Sequence, residues 1–224
     1  MYILEGNIGV GKSTFLNLLH NYCPDIAVIQ EPKESWASHL HGQSLLENFY
    51  KDPHRWAYTI ETLVMMSRVR DHTQQQQQSN PNCVLERSVY SGHYCFAVND
   101  QQLGYFKPAE WEMYNQWVDF FVHKQCHPPK GFIYLRAEPE ECFVRMKKRN
   151  RAGEEHMALE YIEQIHQLHE RFFIEQDGIA PYLKKIPVLV LDCNFNLIEN
   201  NALLYDYVVR IKEFLFYTQQ KETK

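Results

Sequence analysis

The chain has 224 residues, a length that suits one domain or one domain with a lid. With 45% hydrophobic and 23% charged residues, its composition is that of a globular protein able to bury a sizeable core. A formal net charge of −5 gives no strong field for nucleic acid or a membrane surface, and no apolar run reaches membrane-spanning length.

In chain order, Tyr2-Ile3-Leu4 predicts a strand and 14–21 a helix. Residues 27–29 predict a second strand. A long helix follows from Pro53 to about Thr73, with Trp56, Ile60, Leu63 and Val64 at helical spacing. The glutamine run 74–78 and the polar residues 79–82 read as a frayed helix end and a loop. Cys83-Val84-Leu85 predicts a strand, 109–123 a helix, and 132–135 a strand. A proline-started helix spans 139–150. The remainder reads as a helix over 159–175, a strand over 188–191 and a helix over 203–216. Five apolar strands separated by helices imply a three-layer α/β fold, a five-stranded parallel sheet covered on both faces. Ligands of such sheets bind at the carboxyl ends of the strands, so the residues after each strand are expected to converge.

The six cysteines form no Cys-x-x-Cys pair and sit in apolar contexts, which suggests reduced core residues of a cytoplasmic protein. The first strand begins at Tyr2, which leaves no room for a targeting segment within this sequence.

Gly6-Asn7-Ile8-Gly9-Val10-Gly11-Lys12-Ser13 matches the full phosphate-loop pattern, after a predicted strand and ahead of a predicted helix. Its glycines let backbone N–H groups curl around phosphate oxygens at a helix N-terminus, with Thr14 following in the first turn. Lys12 is expected to reach the outer phosphates of ATP, and Ser13 to ligate Mg2+. Glu31 follows the second strand; Glu86 and Arg87 follow the third. One carboxylate there can take the proton of an acceptor hydroxyl, a second can help hold magnesium, and an arginine can brace the acceptor or the moving phosphoryl group. Singly, each could be a capping carboxylate or a surface ion pair. Arg145, Lys147, Lys148, Arg149 and Arg151 form a basic run, either a solvated face or a mobile phosphate-clamping lid over about 145–157.

Together these residues resemble the deoxynucleoside kinase family, which includes deoxycytidine, deoxyguanosine and mitochondrial-type thymidine kinases. The likeness runs through the phosphate loop, Glu31-Pro32 with Trp36, Tyr50 to Pro53 with Arg55-Trp56, and Glu86-Arg87-Ser88-Val89-Tyr90-Ser91. It continues through Tyr134-Leu135-Arg136, the arginine-rich lid, Leu159-Glu160-Tyr161, His166, His169-Glu170 and Val190-Leu191-Asp192. The resemblance implies a single kinase domain over 1–224 that phosphorylates a deoxynucleoside 5′-hydroxyl, and a homodimer formed through helices. It makes Glu31 the general base, Arg87 the holder of the hydroxyl and the base, and Glu86 the magnesium-side carboxylate. Tyr50 and Glu154, with Glu155 as the alternative, would grip the 3′-hydroxyl. Trp36 and Phe96 would wall the nucleobase, Arg145, Arg149 and Arg151 would clamp phosphates, and Asp192, Asn194 and Phe195 would lie in the loop on the donor's adenine.

Two positions depart from the family pattern. Where a glutamine reads the nucleobase edge in the animal enzymes, this chain has Glu61. An ionised glutamate only accepts hydrogen bonds, which suits the two adjacent donors of guanine. Arg68, two turns along the same face, could donate to guanine O6 or N7. Gly92 replaces the acidic residue that pairs with this arginine in purine-accepting members. The expectation is purine preference, deoxyguanosine first and deoxyadenosine second. The simpler alternative is that Glu61 pairs with Arg68 while another group reads the base. Further alternatives are a pyrimidine or broad-specificity kinase, a nucleoside monophosphate kinase, and an inactive structural member, though Lys12, Glu31 and Arg87 all remain. A GTPase-type switch lacks support, because no Asn-Lys-x-Asp run occurs.

Overall fold

The computed structural model describes residues 1–31, 44–78, 82–151, 153–195 and 200–222. Five strands form one parallel sheet: β1 (Tyr2–Gly6), β2 (Ala27–Ile29), β3 (Cys83–Glu86), β4 (Phe132–Arg136) and β5 (Val188–Asp192). Their spatial order is β2-β3-β1-β4-β5. β1 therefore lies centrally, with the chain returning to β3 on one side of it and β4 on the other. That arrangement opens a crevice at its carboxyl end. The register places Leu4 opposite Glu86 and Gly6 opposite Leu135, so the phosphate loop leaves the sheet beside the end of β3.

Alternation along the strands divides the core into two layers. Ile3, Phe132 and Tyr134 face one cluster, built with α3 (Pro53–Gln78), α4 (89–102), α5 (108–125) and α7 (Leu159–Glu170). Tyr2, Leu4, Ile133 and Leu135 face the other, built with α1 (Lys12–Tyr22), α6 (Pro139–Arg149) and α8 (Asn201–Glu222). Apolar residues on both faces of each strand require helices on both faces, the predicted three-layer α/β fold.

The structure adds two helices to the expectation. α2 (Leu45–Lys51) starts at Ser44, whose hydroxyl accepts from the Glu47 backbone N–H. α4 starts at Ser88, whose hydroxyl accepts from the N–H groups of Tyr90 and Ser91, and it is π-wound over Gly92–Ala97. The glutamine run is not frayed: α3 continues through Gln78, with Gln75 buried and Gln76 bonded to the backbone of Gln125 and His127. These long amides replace solvent as partners for the chain end of α5. All six cysteines are buried and free, as expected of core residues. No helix among the described residues is long and apolar enough to cross a membrane.

Candidate active site

The loop between β1 and α1 turns on glycines in the left-handed region, Gly9 at φ 82° and Gly11 at φ 104°. A Cβ on Gly9 would lie 2.0 Å from the Cys142 carbonyl oxygen, so the loop is pressed directly against α6. Asn7 pins it from the other side, donating to the Ile162 carbonyl at 2.9 Å and accepting from the Ile8 N–H at 2.7 Å. Lys12 is buried and donates to the Gly6 and Asn7 carbonyls at 2.8 and 2.7 Å. Val10 is buried beneath the loop, and Thr14 is exposed on the first turn of α1.

The ends of β2 and β3 bring the acidic and basic residues beside this loop. Ser13 donates to Glu86 at 3.3 Å, and the Glu31 N–H donates to the other Glu86 oxygen at 3.3 Å. The serine hydroxyl and the carboxylate thus adjoin, an oxygen donor set of the kind a magnesium ion takes. Arg87 sits at φ 64° and is buried, one of its terminal nitrogens having no hydrogen-bond partner. A non-glycine residue is rarely held there, and such strain concentrates at functional positions.

Glu31 is held by two guanidiniums. Arg68 donates to one oxygen through Nε at 3.1 Å and Nη2 at 2.6 Å, and Arg87 Nε approaches the other oxygen at 3.6 Å. Arg68 also donates to the Ser88 carbonyl at 3.3 Å. A Cβ on Gly92 would meet Arg68 Nη1 at 2.7 Å, so the arginine occupies the space a larger residue would fill. Arg87 stacks over Phe96 with its guanidinium carbon 4.6 Å from the ring centre, and His169 meets that ring edge-on at 5.9 Å.

Glu61 is buried in the same group. Arg68 turns to Glu31, so the simple Glu61–Arg68 pair is not what the structure contains. Burial and the Glu31 charge raise Glu61 to about 7, against the opposing pull of Arg68 and Arg87.

Tyr50 and Glu154 adjoin at the other end. Burial, with the Glu154 charge adding to it, raises the Tyr50 phenol, and a Cβ on Gly153 would sit 3.0 Å from the Tyr50 ring. Glu154 is buried and accepts from Arg149 at 2.7 and 2.8 Å, with Arg151 at 3.5 Å. Glu155, the alternative, is exposed and tied to the Lys147 side chain through its carbonyl. The basic run therefore divides. Arg149 and Arg151 gather on Glu154, whereas Arg145 pairs with Glu141 at 2.9 Å and donates to the Cys193 and Phe195 carbonyls. That bond ties α6 to the loop after β5, where Asp192 accepts from Asn194, Asn194 caps Glu138, and Phe195 is exposed. Trp36 lies outside the described residues.

Sequence reasoning missed two buried carboxyls. Glu5, on β1, accepts from Ser88 at 2.5 Å; burial raises it, and Ser88 and Arg87 offset this only in part. It was legible as an acid inside an otherwise apolar strand. Asp100 lies one helical turn beyond Phe96 on a helix not predicted, so nothing marked it as interior. Arg136 and Tyr134 both bond Glu170, which joins two motifs that are far apart in sequence.

The deoxynucleoside kinase family model matches residues 2–215. The chain is 35% identical to deoxycytidine kinase 2 of Gallus gallus, covering 95% of this chain and 89% of that one. It is 33% identical to deoxycytidine kinase of Homo sapiens, again over 95% and 89%. Mitochondrial deoxyguanosine kinase of Xenopus laevis is 34% identical over 95% and 88%. A family match along nearly the whole chain, joined to a phosphate loop that adjoins a doubly arginine-held carboxylate, places this protein in the deoxynucleoside kinase family, as a phosphotransferase.

Proposed function

We propose that the enzyme transfers the γ-phosphoryl group of ATP to the 5′-hydroxyl of a purine deoxynucleoside, deoxyguanosine first and deoxyadenosine second. The observation that carries the transfer is Glu31, a carboxylate held by Arg68 and Arg87 beside the phosphate loop. In this reading Glu31 takes the hydroxyl proton, Arg87 steadies the hydroxyl, and Lys12 with Arg145, Arg149 and Arg151 neutralises phosphate charge. Ser13 and Glu86 would hold magnesium, which supplies charge neutralisation on the donor phosphates. Tyr50 and Glu154 grip the 3′-hydroxyl, Phe96 and Trp36 flank the base, and Gly6 to Thr14 and Asp192 to Phe195 cradle the donor. The single domain, the lid over about 145–157, the cytoplasmic setting and the homodimer belong to the same proposal. The dimer is supported by exposed Met66 on α3 and Met113, Trp117 and Phe120 on α5.

The base preference rests on Glu61, whose carboxylate accepts from both guanine N1–H and the 2-amino group. Arg68 spans from this end of the pocket to Glu31, which links base recognition to the proton acceptor. Relative kcat/KM for the four deoxynucleosides tests the reading, and thymidine as the best substrate would overturn it. A second reading is deoxycytidine, in keeping with the names of the Gallus and human relatives. A nucleoside monophosphate kinase is disfavoured because its acceptor is already ionised and has no use for Glu31 as a base. The product distinguishes them: a monophosphate formed from a nucleoside, or a diphosphate formed from a monophosphate.

A further inference from the structure

Among the described residues, the pocket holds more buried acid than base. Glu5, Glu61 and Asp100 are buried there and the Glu31 side chain is only 4% exposed, against the guanidiniums of Arg68 and Arg87. Both guanidiniums are directed at Glu31, and Lys12 is turned to the carbonyls of the phosphate loop. Asp100 is wholly buried, and neither of its oxygens completes a hydrogen bond. The Tyr161 hydroxyl is the donor facing it, at a contact outside bonding geometry. With buried Glu86 and Lys12 counted as well, five carboxylates and three cations among the described residues cannot all stay charged out of water, so part of the excess is carried as protons.

We propose that Glu61 reads the nucleobase in two protonation states, with Asp100 beside it as a neutral carboxyl that takes no part in reading the base. As a carboxylic acid, Glu61 offers one O–H donor and one carbonyl acceptor, the hydrogen-bonding set of a glutamine, and matches the acceptor–donor edges of cytosine and adenine. As a carboxylate it only accepts, and matches the two donors of guanine. The glutamate is then a glutamine equivalent below its ionisation and a guanine reader above it. The inference rests on the reading that Glu61 faces the base edge.

Among the described residues, the charged groups facing Glu61 come from several elements. Arg68 lies on α3, Glu31 after β2, Arg87 after β3 and Asp100 on α4. Tyr114 on α5 and Tyr161 on α7 feel its charge and are themselves raised by burial, so they stay neutral and supply no counter-charge. Glu5 stands behind the guanidiniums and draws on the same two cations. Burial brings Glu61 to about 7, within the working range, whereas Asp100 is pushed well above its ordinary value by burial and by Glu61. The proton balance is explicit. Near neutrality Glu61 is about half protonated, so deoxycytidine binding draws about half a proton per site from solvent onto it and deoxyguanosine binding releases about half.

The test is the ratio of kcat/KM for deoxyguanosine to that for deoxycytidine from about pH 6 to about pH 8.5, a window in which neither base titrates, in the full-length protein and in Glu61→Gln and Asp100→Asn. In the wild type the ratio is expected to rise about tenfold or more, the equivalent of one misplaced hydrogen bond. It should be flat in Glu61→Gln and keep its rise in Asp100→Asn. Calorimetry in buffers of different ionisation heat should show proton uptake on deoxycytidine binding in the wild type and none in Glu61→Gln. A flat wild-type ratio, a rise that persists in Glu61→Gln, or a rise abolished by Asp100→Asn would overturn the inference. A ratio that rises but stays below one supports the two-state reading and removes deoxyguanosine as first substrate. A flat ratio above one does the reverse.

Discussion

In the proposed function Glu31 takes the hydroxyl proton, and its charge is balanced from two sides. Arg68 and Arg87 fix the carboxylate orientation, so replacing the charge while keeping the shape isolates the chemistry. Glu31→Gln is expected to lower kcat by about 10²–10⁴, the usual contribution of a general base, with nucleoside KM changed far less. An unchanged kcat would remove Glu31 from that role. Lys12→Ala should abolish transfer, measured as monophosphate formed from labelled nucleoside, because the loop backbone alone leaves the outer phosphate charge uncompensated.

Glu61 also sets a stability dependence on pH. Its folded value, about 7, lies above the ordinary 4.5, so its neutral form stabilises the ligand-free protein. That contribution is fully present below about 4.5 and is lost as pH rises through about 7. Glu61→Gln should therefore be more stable than the wild type by about 1–3 kcal/mol at about pH 8, with the gap closing toward about pH 5, in urea titrations of the ligand-free enzyme.

At the scale of elements, the phosphate loop is held by its neighbours as much as by its own glycines. Gly9 abuts the Cys142 carbonyl on α6, and Asn7 reaches α7. Gly9→Ala would drive a methyl group into backbone and impose a positive φ on an L-residue, so ATP binding should be lost or weakened more than tenfold by equilibrium titration. The Gly-x-x-x-x-Gly-Lys-Ser pattern marked this loop in the sequence, but the contact with α6 lies 133 positions away and has no local signal. The added helices teach the same lesson in two ways. α2 was legible, since Ser44 and Glu47 have capping-box spacing. α4 was not, because Ser91-Gly92 reads as a break, and only the packing of Arg68 against Gly92 shows why a glycine sits inside a helix. Its π-wound stretch carries Phe96 against Arg87, a placement no 3.6-residue periodicity predicts.

For the whole molecule, the exposed apolar side chains of α3 and α5 are the surface on which the proposed homodimer depends. Single exposed apolar residues are ordinary, but Trp117, Phe120 and Met113 recur along one helix. The double substitution Trp117→Glu/Phe120→Lys should convert a dimer to monomer in sedimentation velocity while leaving the circular dichroism spectrum unchanged. A wild-type chain that sediments as a monomer would remove the dimer.

Length, the order of five apolar strands and helices, and the phosphate-loop pattern determined by themselves a parallel three-layer fold with phosphate chemistry at the strand ends. Those features are local, and local spacing reports local structure. The strand-end rule also put Glu31, Glu86 and Arg87 beside Lys12 and Ser13 without a contact being known. Only the tertiary structure decided which charges pair. Arg68 was expected to face the base or Glu61, and it bonds Glu31; Arg149 was expected at phosphate, and it bonds Glu154; Glu5 and Asp100 were not expected at all. The reason is physical. A sequence shows which side chains carry charge, but the free energy of a buried charge depends on what surrounds it in three dimensions. Burial at Glu61 raises a carboxyl that the sequence shows only as a glutamate in place of a glutamine.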